Sequence, residues 1–588
     1  MTHQGKIDHD EAHDGANALH AAMRATRPAF LTAVVFSFFI NLFGLAGPIY
    51  MLQVYDRVLT SRNLATLAAL TLIVAFIYAT TAVLEALRAK LLIRAGVLFD
   101  QTAHADVFRA VQRASVLQPS ARHAQCLKDV DTIREFYTGS GLLACCDIPW
   151  VPIYFAAAFF LNPLYGVLAV AAGFITFSLA AANEWLTRRS LDQASRSAHI
   201  AANRAVSTFR NAEVLQAMGM TESLRLRWAG AHEAALNWQS LASDHSSVVI
   251  SAARFTRMFL QSLVLGLGAY LVIQRQVTPG MMIAASIIIG KALSPVEIAI
   301  GQWKQFTATR EARRRLIGLL QHAPAAASVL KLPDPRGHVT IENVSAHAPG
   351  RHTRILNNVT LDIPAGAVFG LVGPSAAGKS SLLRVMTGVW PPSSGTVRLD
   401  GSELSHWNPD DLGRNIGYLP QDVELFPGTI GENISRFAPE ADAKEIIAAA
   451  EIAGVHGMIQ QLADGYNTQI GEGGHALSGG QRQLVGLSRA LYGLPALVVL
   501  DEPDSSLDSL GEKALLHAIA TLKRAGRSVV IVTHKQNILS LADFIAVMHA
   551  GRIHAVGPRE QIVNALLENR VKAIPDTGRG KVQSISAA

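Results

Sequence analysis

Six apolar stretches in the first half of the chain, at about residues 30–52, 64–84, 141–161, 164–183, 255–273 and 280–293, constrain its fold more than any other feature. Most approach the roughly 20 residues that a helix needs to cross a bilayer. The last is short by apolar count and must recruit its flanks. Backbone polar groups find no water in lipid, so runs of this kind cross as helices. Half of the 588 residues are hydrophobic and 16% are charged, a balance that points to a membrane protein with a soluble part.

Two polar, helix-forming stretches, 85–140 and 184 to about 254, interrupt the apolar ones. Arg88, Lys90, Arg94, Arg109, Arg113, Arg122, Lys128 and Arg134 lie in the first. Arg188, Arg189, Arg196, Arg204, Arg210, Arg225 and Arg227 lie in the second. Basic residues beside spans remain in the cytoplasm, so both stretches and both termini are expected inside. Arg57 and Arg62, in the first external turn, run against that bias. The net charge of +7 is explained this way, with membrane lipids as surroundings and no nucleic acid as a partner. Long helices should project well beyond the bilayer.

Residues 1–26 read as a flexible tail, in which His3, His9, His13 and His20 are solvated rather than metal-binding. No cleavable signal peptide is visible. Cys126, Cys145 and Cys146 lack zinc-site spacing and read as packing residues. Asn41, Asp147 and Glu297 sit in or beside apolar spans, where polar groups are costly. Such groups are often functional, but the last two lie near segment ends, where an interfacial place is as good an account, and none is assigned to substrate. A membrane domain over 27–320, a Pro- and Ala-rich linker over 321–336, a soluble domain over 337–568 and a tail over 569–588 complete the division.

In the soluble half, short β-branched runs alternate with helical ones, which predicts an α/β domain with a mainly parallel sheet. Its centre is Gly373, Pro374, Ser375, Ala376, Ala377, Gly378, Lys379 and Ser380, followed by Ser381. This G-x-x-x-x-G-K-S run follows an apolar strand and precedes a helix, the setting of a phosphate-binding loop rather than a surface turn. Lys379 supplies charge to the terminal phosphates, and the Ser380 hydroxyl suits Mg²⁺. A second apolar strand, Ala496-Leu497-Val498-Val499-Leu500, ends in Asp501 and Glu502. Asp501 is placed for Mg²⁺ and Glu502 for polarising a water. His534 follows the strand 528–532, where it could contact the γ-phosphate or orient the water, and Gln421, in isolation a loop residue, could join the Mg²⁺ and water shell; both gain weight only from this company. Ser478, Gly479, Gly480 and Gln481 open another helix with an anion-favouring start. One nucleotide cannot easily use both helix starts. Two copies of the chain, each completing the other's site, is the economical arrangement.

With these residues in hand, the second half resembles the nucleotide-binding domain of ABC transporters over its full length. The resemblance implies Walker A at 373–380, the Q-loop at Gln421 and the signature at 477–481. It also implies Walker B ending at Asp501, a catalytic Glu502, a D-loop at 506–508, a switch His534 and an X-loop at Glu472. Where the family places an adenine-stacking aromatic, this chain has Ala348, with His347 one position away, so weaker base stacking, by about 1 kcal/mol, is expected. The segments 54–63 (Val-Tyr-Asp-Arg-Val-Leu-Thr-Ser-Arg-Asn), 213–219, 282–286 and 292–297 resemble type I secretion ABC transporters, and most closely the protease-exporting branch. That likeness implies a homodimeric inner-membrane half-transporter using ATP and Mg²⁺ to export unfolded, protease- or RTX-like polypeptides. It also implies a periplasmic adaptor and a TolC-like outer-membrane channel as partners. The stretch before the first span is too short for an N-terminal peptidase-like domain. Rival readings are a lipid or drug exporter of the same architecture, and a membrane-anchored ATPase without transport, for which six spans are more than an anchor requires.

Overall fold

The structure, a computed structural model, describes residues 4–117, 121–322, 332–349 and 353–567. The chain divides into two compact units, one on each side of residues 323–331. The expected linker over 321–336 lies largely, and the expected tail over 569–588 wholly, outside the described residues.

The first unit is helical: α1 (Gln4–Phe43), α2 (Leu64–Leu117), α3 (Ala121–Thr138), α4 (Ser140–Asp147), α5 (Val151–Leu161), α6 (Pro163–Phe209), α7 (Thr221–Ile273), α8 (Pro279–Gly301) and α9 (Trp303–His322). Six helical segments among the described residues are long and apolar enough to span a membrane, and each contains one apolar window read from the sequence. The 54 residues of α2 extend about 80 Å at 1.5 Å per residue, more than twice a hydrocarbon core. The second polar stretch breaks between Phe209 and Thr221, so α6 and α7 return against each other. Both helices bury small side chains, among them Ala169, Ala172, Ala194 and Ala201 on α6 and Ala235, Ala242 and Ala253 on α7. Small residues allow two backbones to approach along such a length.

The expected tail is corrected by α1, which is helical from Gln4. Its Leu19 and Ala22 are buried in a cluster with Phe99, Val107, Val130 and Leu316, and that burial anchors the segment. His3 lies outside the described residues, as do the side chains of His9, His13 and His20. The three polar groups singled out in or beside the spans, Asn41, Asp147 and Glu297, are paired. Asp147 accepts from Arg88 Nη1 at 2.6 Å and from Asn41 Nδ2 at 3.1 Å, and Arg88 also donates to Ser37 Oγ at 2.7 Å. Glu297 accepts from Arg257 Nε at 2.9 and 3.0 Å.

Among the described residues the second unit has ten strands: β1 (Val339–His347), β2 (Arg354–Ile363), β3 (Val368–Val372), β4 (Ser394–Leu399), β5 (Ser402–Glu403), β6 (Ile416–Leu419), β7 (Leu497–Asp501), β8 (Ser528–Val532), β9 (Phe544–His549) and β10 (Arg552–Pro558). They form an antiparallel sheet in the order β2-β1-β4-β5 and a second sheet in the order β10-β9-β3-β8-β7-β6. The second sheet is parallel from β9 to β6. Every residue of β7 and β8 is buried, as expected of strands covered on both faces. The helices that matter for the site are α10 (Lys379–Met386), α11 (Gly479–Leu491) and α12 (Ser509–Arg524).

The pair between α3 and α9 offers a test of the first unit. Asp129, 1% exposed, receives two bonds of 2.8 Å from Arg315. Asp129→Ala removes one partner of a pair whose arginine still reaches water, so a loss of about 2 kcal/mol is expected, less than for a fully sealed pair. A fall of the thermal unfolding midpoint of the purified protein, largely recovered in Asp129→Glu, would bear this out.

Candidate active site

The phosphate loop is a strained connection between β3 and α10. At Gly373 an added Cβ would overlap the Met548 carbonyl oxygen, and Gly378 has φ +98°, which side-chain-bearing residues rarely adopt. Ala376 takes a left-handed conformation (φ 64°), and Ala377 N–H closes a turn onto Pro374 O at 3.2 Å. Ser375 lies in the same turn, and Ser380 and Ser381 follow Lys379 in the first turn of α10. Lys379 is 6% exposed, and its ammonium donates to Gly373 O at 2.6 Å and Pro374 O at 3.0 Å. Burial lowers its pKa, opposed by the charges of Glu502 and Asp501.

Three further strands end beside this loop. Asp501, the last residue of β7, is 1% exposed and accepts from Ser380 Oγ at 3.1 Å. Burial pushes its carboxyl upward; the Ser380 hydroxyl pulls it down, and Glu502 adds to the rise. Glu502 has φ 45°, an unfavourable conformation for a long side chain, fixed by its N–H on Val532 O at 3.0 Å. Such a residue costs on the order of 1–3 kcal/mol and persists where its surroundings over-determine it. Its carboxylate accepts from Gln421 Nε2, beyond β6, at 2.8 Å and stands 3.9 Å from His534 Nε2, beyond β8. The sheet thus brings together Lys379, Ser380, Gln421, Asp501, Glu502 and His534. These groups can bind phosphates and a cation and hold a water for attack.

Ser478 caps α11 in a reciprocal box with Gln481, with bonds of 2.9 and 3.3 Å. An added Cβ on Gly480 would come 3.0 Å from Ser506 O, so α11 starts flush against the loop after β7. Among the described residues, no hydrogen bond or ion pair joins 478–481 to the phosphate loop or to Glu502 of the same chain. Ala348 lies at the end of β1, its N–H on Thr353 O at 3.3 Å, and the His347 ring is bonded to Ser393 Oγ at 2.7 Å. The side chain of Glu472 is outside the described residues.

Sequence reasoning missed the supports. Thr533 Oγ1 donates to Asp504 Oδ1 at 3.0 Å and accepts from Lys535 N at 3.1 Å, so His534 sits in a loop fixed on both sides. Gln483 on α11 donates from its buried amide to Pro503 O at 3.1 Å. Arg436 ties the far end of α11 to Gly413 through Arg489 O, Ala490 O and Gly413 O, at 2.9, 3.1 and 2.6 Å. Its burial, with Arg489 nearby, pushes its pKa down to about 10. Only the proximity of Asp504 to Glu502 in sequence was a signal for any of these.

Residues 356–505 match the family model of the ABC transporter, and residues 30–294 match that of the ABC transporter transmembrane region. The type I secretion system ATP-binding protein PrsD of Rhizobium meliloti (strain 1021) is 41% identical over 548 residues, covering 93% of this chain and 94% of its own. The alpha-hemolysin translocation ATP-binding protein HlyB of Escherichia coli O6:H1 is 30% identical over 557 residues, covering 92% and 77%. The solved structure of a bacterial Atm1-family ABC exporter with ATP bound shares the fold, with a TM-score of 0.78 at 22% identity over 94% of this chain and 99% of its own.

Two measurements check this geometry. Asp501, held above the ordinary aspartate range, takes up a proton earlier as pH falls, and Mg²⁺-dependent binding of a fluorescent ATP analogue should weaken from correspondingly higher pH. Ser380→Ala removes the hydroxyl that stabilises the carboxylate, so the acid limb should move further up. Thr533→Val keeps the volume but frees the His534 loop from Asp504; a fall in kcat of roughly tenfold or more with little change in KM is expected in steady-state ATPase assays.

Proposed function

Because the chain belongs to the ABC transporters, among the type I secretion ATP-binding proteins, we propose that it carries unfolded polypeptides out of a Gram-negative cell as a homodimer in the inner membrane. It is an ATP-driven exporter, and its enzymatic activity is ATP hydrolysis coupled to transport. The cargo reading draws on relatives named for hemolysin and leukotoxin translocation. A periplasmic adaptor and a TolC-like channel would continue the path outward. The cargo class is that of proteases and RTX-like proteins.

The observation that carries the catalytic reading is the meeting of Gln421, Glu502 and His534 beside Lys379, Ser380 and Asp501. Ser380 Oγ and Asp501 Oδ1 lie 3.1 Å apart at the end of a buried strand, and both are hard oxygen donors. They fit Mg²⁺, with the Gln421 amide oxygen as a further donor. The ion would supply positive charge against the phosphates when bound. Lys379 would move from its own loop carbonyls to the terminal phosphates, which its short bonds place within reach. Glu502 orients the attacking water, steadied by the Gln421 amide, and His534 stabilises charge on the opposite side. Gly373, Pro374, Ser375, Ala376, Ala377, Gly378 and Ser381 complete the cradle. Ser478, Gly479, Gly480 and Gln481 of a second copy would close it, giving two nucleotides per dimer. With Ala348 in place of an aromatic, adenine binding would rest on the phosphates more than on the base.

Glu502→Gln preserves shape and hydrogen bonding but cannot act as a base. Nucleotide binding and nucleotide-dependent dimerisation should persist while hydrolysis falls by roughly 10²-fold or more. Near-normal turnover in that variant would refute the assignment of Glu502. Cells without the chain should retain the exported polypeptide inside.

A further inference from the structure

Inside the six apolar stretches the charged side chains are Asp147, Arg257 and Lys291, and among the described residues only Lys291 has no ion-pair partner. Asp147 is bonded to Arg88 and Glu297 to Arg257. Lys291 lies on α8, about 18 Å along the axis from Pro279, well inside a hydrocarbon core of about 30 Å. Among the described residues no carboxylate forms an ion pair with it; Glu85 on α2 acts on it electrostatically from farther away. A charged side chain at this depth is costly unless it faces the interior of the bundle or a water-filled path, and such residues mark substrate routes.

Two observations set Lys291 apart from a lipid-facing snorkel. The α8 window has 44% of its residues buried within its own unit, the largest share of the six spans. Ile298 is the one large apolar side chain that α8 exposes among the described residues, whereas α2 exposes Leu72, Ile73 and Phe76. In addition, a polar group lies at the same depth on the adjoining helix. The side-chain amide of Gln261 on α7 crosses α8 at Gly290, where an added Cβ would overlap Gln261 Nε2. A glycine at that one position makes room for an amide in mid-span. Gln261 lies about 18 Å from the end of α7 at Ile273, the same depth as Lys291. The pair offers a cation and an amide, and Arg257 already occupies the nearest carboxylate on α8, that of Glu297.

We propose that Lys291 and Gln261 form a mid-span recess that engages carboxylate side chains of the moving polypeptide, so that the exporter favours acidic segments over neutral or basic ones. This rests on the polypeptide-export reading above. The ammonium would attract the carboxylates, and the amide would pair with the backbone of an extended segment.

The test uses the full-length protein in vesicles of neutral phosphatidylcholine, with ATP supplied on the side of the nucleotide unit. Uptake is measured for three labelled unstructured peptides of equal length that differ only in carrying Asp, Asn or Lys at the same positions. The wild type should take up the Asp peptide several-fold faster than the Asn peptide, and the Lys peptide slowest. Lys291→Gln should bring the Asp-to-Asn ratio close to one, Lys291→Arg should retain it, and Lys291→Glu should invert the order. Gln261→Met, which keeps the volume, should slow all three peptides and leave the charge order intact, and it serves if the Lys291 variants fail to assemble. An unchanged ratio in Lys291→Gln, or charge-blind uptake by the wild type, overturns this inference alone. Uptake of no peptide at all by the wild type overturns the polypeptide-export reading itself. If Lys291→Gln instead slows all peptides equally, and only in vesicles containing phosphatidylglycerol, Lys291 is a lipid-phosphate anchor and the recess is rejected.

Discussion

The second unit depends on the order β3-β8-β7-β6, which sets the C-terminal ends of four parallel strands side by side. Each candidate nucleotide group except the start of α11 hangs from one of those ends: Lys379 and Ser380 after β3, His534 after β8, Asp501 and Glu502 at β7, Gln421 after β6. Ligands of open parallel sheets gather at that edge because loops there are free to vary while the strands are fixed. The rigidity is substantial, since β7 and β8 are buried throughout. It is what allows Asp501 to be almost sealed from water with Ser380 as its hydroxyl partner.

The membrane unit uses the same logic with fewer groups. Arg88 joins Ser37 of α1 to Asp147 of α4, and Asp147 also receives Asn41, so one arginine ties three helices. In a medium that cannot solvate an isolated charge, such a node is worth keeping only if every helix keeps its place. Arg257 and Glu297 tie α7 to α8 in the same way. Against these matched pairs, the unmatched ammonium of Lys291 stands out as a group that packing alone does not explain.

Much of this was legible in the sequence because its signals are local. Six apolar windows each became one span, and the phosphate loop was readable from glycine spacing between a strand and a helix. What was illegible is what distant residues contribute to each other. Asp147, near a segment end, read as interfacial because its partner Arg88 lies 59 residues away on another helix. Thr533 and Asp504 looked like ordinary loop residues, and their bond forms only because β7 and β8 are neighbours. The beginning of α1 is polar enough to read as a tail, and only the burial of Leu19 and Ala22 against α2, α3 and α9 gives it a place.

The start of α11 bears on why one chain would be incomplete. Ser478 and Gln481 satisfy each other, so the cap needs no ligand to be stable. The box binds the Ser478 and Gln481 backbone N–H groups, leaving those of Gly479 and Gly480 as the unclaimed donors of the first turn, at the positive end of a 13-residue helix. Both positions are glycine, and the loop at Ser506 lies close enough that Gly480 has no room for a side chain without a shift. A surface so cleared of side chains suits direct backbone contact with an anion, while the same chain's phosphate loop is bonded to none of it. On the proposed reading, the phosphate loop and the start of α11 are two halves of one site, and a second copy facing the first would supply what each one lacks.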